Sequence, residues 1–217
     1  MMKKWVAVAV LASCLLSNHS QLSAQSTVYT SSATFLANVS PGFYTETFTG
    51  NPGTYDSGAG FSSLGFSYIF DAAGGIEPLY RSGAFIGNTY SQQSLTITFT
   101  SGNVTALGGN FFLTDVTDNP LTGTVTITLS DGTVESFTTT SASDYRGFTS
   151  DNGTVITSLV LSAPLAAQFN SMDNFTVGVA VPEPASIAMI GLAIAGVGGY
   201  VYRQRKKKDQ VIETVDC

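Results

Sequence analysis

The side chains able to do chemistry are few and unevenly placed. His19 and Cys14 lie near the N-terminus and Cys217 is the last residue, so residues 25–184 hold no histidine, cysteine or lysine. That composition excludes a Ser-His-Asp or Cys-His nucleophilic site, a Cys/His zinc site, a Schiff-base lysine and an internal disulfide. Carboxylates and hydroxyls remain. Glu46 with Glu77 or Glu135 could supply the two acids of a glycoside hydrolase, but no spacing marks such a pair, and a non-catalytic protein is expected. The same stretch carries only Arg81 and Arg146 against twelve acidic residues, a net charge of −10. Nucleic acid, which needs a basic footprint, is excluded as a partner.

Three acidic loops are the candidate metal ligands. Asp115 and Asp118 stand with Asn119, Asp151 with Asn152, and Asp173 with Asn174. Calcium takes several such oxygens per ion, which makes Asp115, Asp118, Asp151 and Asp173 its candidate ligands; no other cofactor is expected. The simpler reading is that Asp and Asn populate turns because they tolerate left-handed backbone and bond their own chain. No Asp-x-Asp-x-Asp-Gly loop is present. Tyr44, Tyr55, Tyr80, Tyr90 and Tyr145 stand near expected loops or sheet edges and could stack a sugar ring, the basis of a lectin-like alternative. Thr96, Thr98 and Thr100, with Thr124, Thr126 and Thr128, form two hydroxyl rows of the kind an ice-binding surface would need in many copies.

These residues must be positioned by strands. Period-two alternation runs through 95–100 and 125–130, with Leu95, Ile97, Phe99, Val125, Ile127 and Leu129 on the dry face. It recurs in 64–70 with Leu64, Phe66 and Phe70. Asp131-Gly132 between two such runs predicts a hairpin with a type I′ turn. Further strands are expected near 43–49, 84–87, 103–113, 145–149, 154–162 and 174–179, adding Phe48, Phe111, Leu113, Phe137, Ile156, Leu159, Leu161, Phe175 and Val177 to the core. Only 32–39, capped by Ser31 or Ser32, reads as a short helix. Strands with one wet and one dry face must bury the dry one against another sheet. An all-β, two-sheet antiparallel β-sandwich of jelly-roll type is therefore expected over 25–180.

The two ends carry sorting information. Lys3 and Lys4, an apolar run over 5–16 and the small residues before 25 have the three parts of a signal peptide, residues 1–24. Leu11-Ala12-Ser13-Cys14 resembles a bacterial lipobox, a rival reading in which Cys14 is lipidated. Residues 185–202 are uncharged and would reach ~27 Å as a helix, about one hydrocarbon core, so a single C-terminal transmembrane helix is expected there. Arg203, Arg205, Lys206, Lys207 and Lys208 follow at once and should stay cytoplasmic, leaving 25–184 outside. Residues 209–217 form a short tail.

Directly before the span stands Val181-Pro182-Glu183-Pro184. This strip, then an apolar segment, then a basic cluster resembles the PEP-CTERM sorting signal of Gram-negative bacteria, over residues 181–208. The resemblance implies recognition of Pro182, Glu183 and Pro184 by an exosortase, removal of the tail and delivery to the cell surface or the exopolysaccharide matrix. Two prolines around Glu183 would hold the strip extended for a protease cleft. The expectation is an exported protein, membrane-anchored before processing and then on the surface or extracellular, with structural or adhesive duty. The alternative is a carbohydrate-binding module of jelly-roll type, with ice binding or glycoside hydrolysis behind it.

Overall fold

The computed structural model describes residues 25–73, 75 and 77–182. The expected leader 1–24, the span 185–202, the basic cluster 203–208 and the tail 209–217 lie outside the described residues. Those that are described include no helix long and apolar enough to cross a membrane.

Among the described residues, fifteen strands, one short α-helix and a single 3-10 turn at Asp151–Gly153 make up the body: β1 (Ser26–Tyr29), α1 (Ser32–Leu36), β2 (Tyr44–Glu46), β3 (Gly53–Tyr55), β4 (Ala59–Ser63), β5 (Phe66–Ala72), β6 (Leu79–Arg81), β7 (Ile86–Asn88), β8 (Leu95–Phe99), β9 (Ala106–Thr114), β10 (Pro120–Leu121), β11 (Gly123–Leu129), β12 (Val134–Thr139), β13 (Tyr145–Ser150), β14 (Ser158–Leu161) and β15 (Phe169–Gly178). The first sheet runs β1-β13-β9-β15-β7-β6-β3, with β10 added on β9 and β2 on β15. The second runs β12-β11-β14-β8-β5-β4. Every ladder is antiparallel. The chain crosses between sheets repeatedly, and the fold is a two-sheet antiparallel β-sandwich.

One core joins the two inner faces. Phe70, Ile97, Phe99, Ile127 and Leu159 of the second sheet meet Phe111, Leu113, Met172, Phe175 and Val177 of the first, all buried. Phe175 is the pivot: its ring centroid lies 5.3 Å from that of Tyr68 and 6.2 Å from that of Phe99, across the layer. The expected core is buried with one exception. Leu64 is 68% exposed. Residues 64 and 65 form the two-residue turn of the β4–β5 hairpin, where Ser63 pairs with Phe66. Both adopt positive φ, 52° and 84°. The alternation starts at Phe66, and Leu64 belongs to the turn.

A second cluster covers the outer face of the first sheet. Alternation puts Ala106 and Tyr145 on the side opposite Leu107 and Phe148, and α1 lays Phe35 and the following Val39 over them. Ser31 caps α1, its hydroxyl accepting from the Thr34 amide at 3.3 Å. The helix is shorter than expected, ending at Leu36. The Asp131-Gly132 hairpin joins β11 to β12, with Thr128 opposite Val134. Its turn is not type I′, since only Gly132 takes positive φ, at 90°. The amide of Leu129 donates to the Thr133 carbonyl, making a longer loop that the Asp131 carboxylate braces by accepting from the Thr133 amide at 2.9 Å.

Candidate functional site

The four candidate calcium ligands do not share one place. Asp115 and Asp118 lie in the turn that follows the C-terminal end of β9. Asp151 follows β13, whose end pairs with the start of β9 (Thr149 with Ala106), so it sits at the opposite end of that strand. Asp173 pairs with Asn110 near the middle. Nine residues of strand separate the extremes, roughly 30 Å. Among the described residues no three His, Cys, Asp or Glu side chains come together as a metal-holding group.

Each of these carboxylates has local work. Asp115 Oδ1 accepts from the Thr117 amide (2.8 Å), the Thr117 hydroxyl (2.8 Å) and the Asn119 amide (3.0 Å). The Thr117 hydroxyl, followed by the Asn119 amide, pulls this carboxyl down to about 2. Asp118 takes φ 65° and its Oδ2 accepts from the Tyr80 hydroxyl at 2.8 Å, which raises the Tyr80 pKa. Asp151 Oδ1 accepts from the Thr27 hydroxyl at 3.2 Å. Asp173 stands at the irregularity in the β9–β15 ladder; its Oδ2 accepts from the Asn174 side chain at 2.8 Å, and its Oδ1 is buried without a partner.

Two of the glutamates considered for hydrolysis, Glu46 and Glu135, are likewise engaged, and among the described residues Glu77 joins only through its backbone, in a bridge with Ala72. Glu135 pairs with Arg146 at 3.0 Å, and that guanidinium also lies 3.8 Å from the centroid of Phe137. Glu46 accepts from the Phe48 amide at 2.8 Å and from the Tyr44 hydroxyl. Burial, and then the Glu46 contact, push Tyr44 up to about 12. The carboxylate sharing surroundings with Glu46 is Asp173, near its ladder partner Phe175, rather than Glu77 or Glu135.

Of the five tyrosines, Tyr90 is exposed while Tyr44, Tyr55 and Tyr80 are half-buried. Tyr145 is not presented to solvent: it is 7% exposed and packs on Phe35. The threonine rows are not adjacent, because β14 stands between β8 and β11 and places Val160 between Thr96 and Thr128. Of the sorting residues, Pro182 is exposed, and Glu183, Pro184, Arg203, Arg205, Lys206, Lys207 and Lys208 lie outside the described residues.

The structure forms one cleft that the sequence does not announce. It has a volume of about 200 Å³ and lies where β6, β7, β9 and β15 meet the β9–β10 turn. Register brings its walls together: Tyr80 faces Gly87, Gly87 faces Ser171 and Ser171 faces Phe112, and β7 and β15 approach so closely at Gly87 that a Cβ there would collide with the Asn170 carbonyl oxygen. Thr114 and Phe169 form the next pair, with the Thr114 and Ser171 hydroxyls 3.0 Å apart. Phe85 packs edge-on against Phe112, with ring centroids 5.4 Å apart. Val116, 82% exposed, lies at the rim, and Asp118 closes the side over Tyr80.

The strand topology defines the class, an all-β two-sheet sandwich, and comparison with known proteins adds a sorting motif that follows it in sequence. Residues 180–206 match the model of the PEP-CTERM protein-sorting motif. That motif implies an exported protein, membrane-anchored before processing and handled by an exosortase. Among solved structures, the chain is similar to the family 11 carbohydrate-binding module from Clostridium thermocellum in complex with a β-1,3-1,4-mixed-linked tetrasaccharide, at 13% identity, over 66% of this chain and 99% of that one, with a TM-score of 0.31. No curated protein matches.

Proposed function

We propose that this chain is a surface or extracellular-matrix protein of a Gram-negative bacterium, delivered by an exosortase, with structural or adhesive duty and no catalytic step. The observation that carries the reading is the sorting motif at 180–206, which begins two residues after β15 ends at Gly178. The sandwich completes its last strand before the Val181–Pro184 strip, so the strip follows the body in sequence, and its described residues contribute no strand to it. The non-catalytic half is supported by the carboxylates, most of which hold turns, strand edges or an ion pair. Association with exopolysaccharide follows from the destination.

Fractionation tests the route. In a host carrying an exosortase, the chain should become accessible to external protease and lose its C-terminal segment. Deleting the exosortase, or changing Pro182→Ala with Glu183→Ala, should leave the uncut form in the inner membrane. Identical fractionation of all three strains would overturn the proposal. A second reading, a carbohydrate-binding module, is favoured by one observation: the mixed polar and aromatic lining of the cleft.

A further inference from the structure

We propose that the cleft between β6, β7, β15 and the β9–β10 turn is a binding subsite for one uncharged sugar ring of a glycan. The inference rests on the adhesive reading above and gives it a ligand class.

The lining has the chemistry of a pyranose. Tyr80 and Phe169, both half-buried, with Phe85 beneath, supply apolar ring surface for the C–H face of a sugar. Around them stand the hydroxyls of Thr114 and Ser171 and the carboxylate of Asp118. A site that uses aromatic surface beside a few placed polar groups is the common form for small ligands. The size is restrictive. At about 200 Å³ the cleft falls below the ~300–1,000 Å³ usual for drug-sized ligands, so it takes one ring and leaves the remainder of a glycan in solvent.

One observation says which polar atom is available. Asn88 pairs with the buried Leu79 and shares the inner face with Ile86, so its side chain, whose amide nitrogen donates to the Ser94 carbonyl at 3.0 Å, turns toward the second sheet and takes no part in the subsite. At the rim, Tyr80 engages Asp118 Oδ2, and Oδ1 accepts no hydrogen bond from the described residues. A carboxylate held by its partner and offering one free oxygen is a strong acceptor for a sugar hydroxyl.

Charge selects among sugars. Asp115 and Asp118 line the cleft and no Lys or Arg does. A uronic acid or a sulfated sugar would bring like charge against two carboxylates, so the ligand is uncharged. The turn is preorganised: Asp115 ties Thr117 and Asn119 together before any ligand arrives.

The test uses the full chain against an array of neutral and anionic glycans, followed by titration with glucose, galactose, mannose and N-acetylglucosamine and their disaccharides. Binding to a neutral glycan class is expected, with little gain from the second ring. Asp118→Ala and Tyr80→Ala should each weaken it about tenfold or more, the loss of a hydrogen bond to a charged group or of stacking surface. Thr126→Ala, on the exposed face of the other sheet, should leave it unchanged. Unfolding midpoints of the variants separate lost binding from lost fold, and Tyr80→Phe, which removes only the hydroxyl, gives a milder second reading of the same contact. The proposal is overturned if the folded chain binds no neutral glycan, if anionic glycans are preferred, or if the cleft variants bind as the parent does. Surface delivery is scored separately by protease accessibility, so failure here leaves the sorting result standing, and the reverse holds equally.

Discussion

Gly147→Ala tests whether α1 is seated on the first sheet by a glycine. A Cβ at residue 147 would lie 2.6 Å from Cγ and Cδ2 of Phe35 and 2.8 Å from its Cβ. Phe35 cannot yield easily: it is fully buried, with the rings of Tyr29 and Tyr145 at 6.1 and 6.0 Å. Gly147 cannot yield either, since it pairs with Tyr29 on one side and Gly108 on the other. Forced overpacking of this kind costs ~1–3 kcal/mol. For a body of this size each kcal/mol moves Tm by ~2–4 °C, so the variant should melt about 2–12 °C lower. The diagnostic measurement is a double-mutant cycle by denaturant unfolding, with the slope m held constant. Phe35→Ala alone should cost ~3–5 kcal/mol. In that background, Gly147→Ala should cost nothing, or gain ~0.5–1 kcal/mol from replacing a strand glycine. The coupling should therefore reach ~1–3 kcal/mol. If Phe35→Ala does not fold, Phe35→Leu provides the same cycle with a smaller cavity. Costs that simply add, within ~0.5 kcal/mol, would refute the claim that this contact seats the helix.

Two further substitutions probe local strain. Burial, with a smaller push from Glu46, raises the Asp173 pKa, and its Oδ1 has no partner. A folded pKa above the unfolded value contributes stability that is complete below pH ~3.9 and lost as pH rises through the folded pKa, so the ionised carboxylate is a cost at neutral pH. Asp173→Asn should stabilise by about 1 kcal/mol at pH 7, a figure already reduced for partial exposure, and the gain should vanish below pH ~4 in urea unfolding series. A loss of stability at pH 7 would contradict this. Leu64→Asn should stabilise the β4–β5 hairpin by ~0.5–1 kcal/mol, because residue 64 sits at φ 52° beside Gly65, where Asn-Gly is the favoured pair. A lower melting temperature would show that Leu64 contributes packing its exposure conceals.

Much of the framework is legible in the sequence because a pleated strand has a period of two. Leu95, Ile97 and Phe99, and Val125, Ile127 and Leu129, declare their inner face without any knowledge of their partners, and all six are buried. Local chemistry also reads well: Ser31 caps α1, and Asp131-Gly132 marks a hairpin. Failures arise where one residue satisfies two patterns. Leu64 continues an alternation and equally begins a turn, and only the pairing of Ser63 with Phe66 decides between them. Met172 and Phe148, both buried, give no period-two signal, because the residues two positions away on the same face, Asn170 and Asn174 for one and Arg146 and Ser150 for the other, are polar.

The sorting signal is the extreme of local legibility, since Val181-Pro182-Glu183-Pro184, an apolar run and a basic cluster are contiguous and act by composition. The cleft is the opposite extreme. Tyr80, Thr114, Asp118, Phe169 and Ser171 come from separate stretches spread over some ninety residues, and no spacing relates them. They meet because β15 pairs with both β7 and β9, a register set by the burial of Ile86, Phe111 and Met172 on the opposite face. The same non-local pairing scatters Asp115, Asp151 and Asp173 along β9 and its neighbours, although all three look alike in the sequence. Side-chain periodicity along a strand is a property of neighbouring residues and can be read from the chain. Which strands lie side by side is decided by the closure of the whole sandwich, and with it which polar groups share a site.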